Sequence, residues 1–113
     1  MLLSQYNMID YLLKFPSKDV AIQFGSSTGL AIQDQSGIWY PNIASHEHAL
    51  LEIGPHNGEN YWILFRDLIG IDIPNGADQF IYWSSKQTFL KDDQEVYVPR
   101  PINDPNVPDI FWA

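Results

Sequence analysis

The chain contains no cysteine. Disulfide staples and thiolate metal sites are therefore excluded, and stability has to come from packing alone. Basic residues are also scarce: 6 Lys and Arg stand against 14 Asp and Glu, for a formal net charge of −8. A surface of that sign cannot displace counterions from a phosphate backbone, which excludes direct nucleic-acid binding by a basic face. Long apolar runs are missing too. The N-terminal stretch over residues 1–15 is apolar, but it has no basic leading region and Asp10 interrupts it. It makes a poor signal peptide and falls short of the ~18 apolar residues of a membrane span. The expected location is the cytoplasm.

What the chain does have is 45% hydrophobic and 14% aromatic residues over its 113 positions. That suits one folded domain, expected over 1–98 with a proline-rich tail, 99–113, docked on it. Ser4 caps an expected helix over 5–14, with Met8, Ile9, Leu12 and Leu13 as its stripe. Phe15-Pro16 ends it. Val20, Ile22 and Phe24 then alternate with Ala21 and Gln23 as in a strand, and residues 25–29 read as a turn. Further strands are expected over 30–33, 38–40, 49–53, 60–68, 69–73, 79–85 and 95–98. The Asn75-Gly76 pair marks the sharpest turn. Pro99, Pro101, Pro105 and Pro108 bar the tail from helix or central strand. Its final Ile110, Phe111 and Trp112 read as core closure or as a hydrophobic hook. The fold class is α+β: one N-terminal helix on a mostly antiparallel sheet of six or seven strands.

Chemistry-bearing patterns are few. The three histidines, His46, His48 and His56, fall within 11 residues together with Glu47 and Glu52. On an extended segment His46 and His48 project from one face, a spacing that metal ligands use, with His56 or Glu52 as a third donor. A histidine beside a carboxylate also suits acid–base work in a small hydrolase. Yet the six cations are spread singly, so nothing in the sequence assembles to stabilise developing negative charge. No P-loop, nucleophile elbow or dinucleotide fingerprint occurs. No cofactor is expected.

The aromatic residues say more. Trp39-Tyr40, Tyr61-Trp62 and Tyr82-Trp83 place neighbouring rings on expected strands, so one of each pair should face outward. Exposed rings beside carboxylates make protein-binding surfaces. The expected partner-binding residues are Asp34, Trp39, Glu59, Tyr61, Asp78, Tyr82, Asp92, Asp93 and Glu95. Together these features favour a binding module over an enzyme. The concrete expectation is an intracellular inhibitor of a basic protein, of the immunity type that covers the positive cleft of a nuclease toxin. The alternatives are a hydrolase or metal module built on the histidines, and a subunit of a larger assembly.

Overall fold

The computed structural model describes residues 9–29, 31–33, 35–36, 39–41, 48–67 and 75–110, with side chains of 31–33, 39–41 and 48–50 left aside. It is α+β with antiparallel sheets and one α-helix, the class the sequence pattern implies. Strand β1 (Ile9–Phe15) is followed by helix α1 (Lys18–Thr28). The short strands β2 (Ala31–Gln33) and β3 (Trp39–Pro41) pair as a hairpin. Strands β4 (His48–Pro55) and β5 (Tyr61–Asp67) come next. A 3-10 turn (Ala77–Phe80) leads into β6 (Ile81–Ser84), and β7 (Thr88–Lys91) pairs with β8 (Gln94–Tyr97). The main sheet has the order β4-β5-β1-β6.

The first elements are the reverse of the sequence expectation. Residues 9–14 are a strand, not a helix, and residues 18–28 are a helix, not a strand with a turn. Both reversals have a physical cause. β1 lies between β5 and β6, and both of its faces are covered, so apolar residues fill both and no alternation survives. Tyr11, Leu13 and Phe15 point to one side and Leu12 to the other. The helix carries its own start and stop signals. The Ser17 hydroxyl accepts the Val20 N–H at 3.3 Å, and Gly29 closes the helix at φ 81°. Between them Val20, Ala21, Phe24 and Gly25 form a stripe at helical spacing. The alternating valine, isoleucine and phenylalanine fit period two equally well, which is what misled the reading.

The two faces of the main sheet are covered by different parts of the chain. On one face Tyr11, Leu13, Phe15, Tyr61, Ile63 and Phe65 pack with Ala21 of α1, and Val20, Ile22 and Phe24 close over them. Phe15, Phe24 and Phe80 form a ring cluster there, with centroids 4.5 to 5.7 Å apart. On the other face Leu12, Trp62 and Trp83 pack with Val107 of the proline-rich segment, joined by Ile53, Val98 and Ile110. That segment has no helix or strand of its own over 99–110. The Trp83 indole N–H donates to the carbonyl of Val98, just before the segment, and His56 Nε2 engages the carbonyl of Pro105 within it, at 3.1 and 3.0 Å. Phe111 and Trp112 lie outside the described residues.

The 69–73 arm of the expected hairpin with 79–85 lies outside the described residues. Its other arm contains β6, which pairs with β1. The Gly76 turn stands where expected, at φ 91°, but it opens the 3-10 turn. The strand expected over 49–53 is present within β4, and those over 60–68 and 95–98 correspond to β5 and β8. In place of one sheet of six or seven strands, the described residues hold eight short strands in three sheets. Among the described residues no helix is long and apolar enough to cross a membrane.

Candidate protein-binding surface

Antiparallel pairing sorts the expected site residues. Phe15 of β1 faces Tyr61 of β5, and Leu13 faces Ile81 of β6. Glu59, just before β5, and Asp78, just before β6, therefore stand at the same end of the main sheet. Ser84 pairs with Tyr11, nearer the opposite end, and the chain leaves from there into β7 and β8. Asp92, Asp93 and Glu95 belong to that hairpin. The acidic positions thus form two groups rather than one face. Asp34 and His46 lie outside the described residues, as do the side chains of Trp39 and His48.

The aromatic pairs behave differently from the expectation. Tyr61 and Trp62 are both buried, because α1 covers one side of β5 and the proline-rich segment covers the other. Tyr61 is therefore a core residue and is withdrawn from the binding surface. Burial, then its hydrogen bond to Glu52, lift its phenol well above the ordinary 10.0. Tyr82 and Trp83, by contrast, do not take opposite faces. The register slips between Leu12 and Leu13, which makes Tyr82 an extra residue opposite β1. The Tyr82 ring meets Trp62 edge-on at 5.1 Å, and Lys14 Nζ sits 5.7 Å from both rings. Tyr82 remains 39% exposed, but it is held among intramolecular partners.

The exposed apolar side chains concentrate elsewhere. Every residue of β7 is exposed, and so is all of β8 except Val96. Leu90 is 74% and Tyr97 71% exposed, with Phe89 close to half. In the register, Thr88 faces Tyr97 and Leu90 faces Glu95, so these four side chains share one face of the ribbon. Asp92 and Asp93 form the two-residue turn at its tip, with φ of 52° and 64°. That is the backbone sense of the tight hairpin turn, which usually selects asparagine and glycine. The root is firm. Val98 N–H donates to the Gln87 carbonyl at 2.8 Å, Gln87 N–H to the Ser84 carbonyl, and Ser84 N–H to the Gln87 side chain. The hairpin is thus a braced arm with an acidic tip and an uncovered apolar face.

Leu90, Phe89 and Tyr97 are binding candidates that the sequence reading missed. The signal was available: residues 88–91 and 94–97 flank a two-residue polar link, the spacing of a tight hairpin. The charged run over 91–95 reads as a loop ahead of the strand expected over 95–98, and that pattern conceals β7.

Two further groups of charged and titratable side chains lie away from the hairpin. Among the described residues no three His, Asp or Glu side chains gather in a way that could hold a metal ion. His56 engages the Pro105 carbonyl, and the full histidine triplet is beyond the described set. The pair of partly buried Arg66 and buried Asp10 is bidentate, with Nε–Oδ1 at 2.6 Å and Nη2–Oδ2 at 3.1 Å. Asp10 also takes part in the backbone: its N–H donates to the Ser85 hydroxyl, and its carbonyl accepts the Ser85 N–H. The hydrogen bond to Asp10 holds the Arg66 guanidinium above its ordinary value. This is a structural clasp joining β1, β5 and the exit of β6.

Comparison with known proteins gives no family model, no curated protein and no solved structure that matches the chain.

Proposed function

We propose that this chain is a small acidic protein-binding module that inhibits a basic protein. Its most concrete form is an immunity-type inhibitor, held in the bacterial cytoplasm, that neutralises a nuclease-type toxin by covering its cationic cleft. The observation that carries the reading is the β7–β8 hairpin. It presents Leu90 and Tyr97 outward beside Asp92, Asp93 and Glu95, on a molecule of net charge −8. Aromatic and aliphatic anchors supply affinity when they are desolvated, while carboxylates at the rim steer a basic partner and reject an acidic one. A nuclease of this kind has a cleft built for a phosphate backbone, so it is complementary in sign.

The reading is tested with a purified basic nuclease domain encoded beside the inhibitor's own gene. Stoichiometric addition of the protein abolishes nuclease activity, and the Asp92→Asn, Asp93→Asn, Glu95→Gln variant inhibits far more slowly. Undiminished nuclease activity at excess protein would remove the inhibitor reading.

A further inference from the structure

The ribbon exposes backbone as well as side chains. The bond from Val98 N–H to the Gln87 carbonyl makes 87 and 98 a directly hydrogen-bonded pair. In an antiparallel ladder such pairs alternate with pairs that are not bonded to each other. Following the register, Phe89–Val96 and Lys91–Gln94 are bonded, whereas Thr88–Tyr97 and Leu90–Glu95 turn their N–H and C=O groups away from the ribbon. β7 and β8 each therefore present an open edge. Among the described residues no backbone bond from another element reaches Thr88, Leu90, Glu95 or Tyr97.

The two edges differ in charge. The β7 edge ends at Lys91, while the β8 edge carries Glu95 next to the Asp92-Asp93 tip. We infer that β8 accepts an extended, basic strand from the partner protein, paired antiparallel along Glu95 and Tyr97. This inference rests on the basic-partner reading above and gives it a binding mode. Glu95 and Tyr97 point to one face, two residues apart, so the incoming strand needs the complementary spacing. A Lys or Arg sits opposite Glu95, and an apolar residue two positions away covers Tyr97. Four backbone hydrogen bonds, a donor and an acceptor at each of the two residues, hold the strand, and the side chains choose it. A two-stranded ribbon is marginal in water, and a third strand stabilises it. A second copy of the chain would bring another −8 to the same edge, which opposes self-pairing.

The test uses the full chain, labelled with 15N, and a blocked peptide in which lysine and valine alternate, each separated by threonine. A twin peptide of the same sequence is N-methylated at every second residue, which removes its strand hydrogen bonds and keeps its charge. The inference expects the first peptide to shift the Glu95 and Tyr97 amides and slow their hydrogen exchange about tenfold or more at low salt, while the twin fails. Equal binding by the twin, or shifts spread over the acidic surface without protection of these two amides, overturns strand addition and leaves the basic-partner reading standing. Binding of neither peptide at low salt also overturns it. Concentration-dependent protection of both amides in the free protein would mean that a second copy fills the edge, and would overturn it as well.

Discussion

Asp10 is buried, and Arg66 stands opposite it across the β1–β5 ladder as its charged partner. A carboxylate kept from water is tolerable because the guanidinium meets both of its oxygens. Removing the cation alone leaves that charge uncompensated, so Arg66→Met is expected to cost about 3–5 kcal/mol in urea unfolding. The double variant with Asp10→Asn should recover part of the loss, which separates charge burial from lost packing. Tyr61 gives a pH dependence of known sign. Its phenol loses its proton at a higher pH in the folded chain than in the unfolded one, where the ordinary value of 10.0 applies. Its contribution is therefore complete below about pH 10 and is lost as pH rises further, because the unfolded state releases the proton first. Stability against pH, measured for the parent and for Tyr61→Phe, should run parallel below about pH 10, and the parent should fall relative to the variant above it.

At the scale of elements, α1 depends on its two ends. Ser17→Ala removes the acceptor for the Val20 N–H and should destabilise the protein by about 1 kcal/mol. The β7–β8 turn offers a contrast, since Asp92 and Asp93 occupy left-handed backbone where glycine is easier. Asp93→Gly should leave thermal stability unchanged or raise it by about 0.5–1 kcal/mol, while weakening salt-dependent binding of a basic partner. Such a pattern marks residues kept for contact rather than for folding. The helix was legible in its caps, Ser17 and Gly29, but the V-A-I-Q-F alternation was given more weight. β1 could not be told from a helix by period, because a strand covered on both faces loses its alternation. β4, β5 and β8 were legible because glycine-rich or polar links bound apolar runs of strand length.

Over the whole molecule, burial decided which aromatic residues are available. Sequence alternation implied outward rings from Tyr61-Trp62, yet covering both faces with α1 and the 99–110 segment took both rings inward. That outcome depends on long-range packing and is invisible in local pattern. The acidic tip residues were identified from sequence, whereas the apolar half of the surface, Leu90 and Tyr97, became visible only once β7 had a partner strand. Because these two side chains lie outside the core, Leu90→Ala with Tyr97→Ala should change stability by less than about 1 kcal/mol. The same pair should weaken partner binding by about 2 kcal/mol or more. The central claim is that this hairpin holds a basic partner by anchors and charge together. The most direct measurement is the affinity for the basic nuclease domain across a salt series, for the parent chain and for the Asp92→Asn, Asp93→Asn, Glu95→Gln variant. The account predicts that parent affinity falls steeply as salt rises, and that the variant is weaker at low salt with a shallower slope. Identical affinity and slope for both proteins would contradict it.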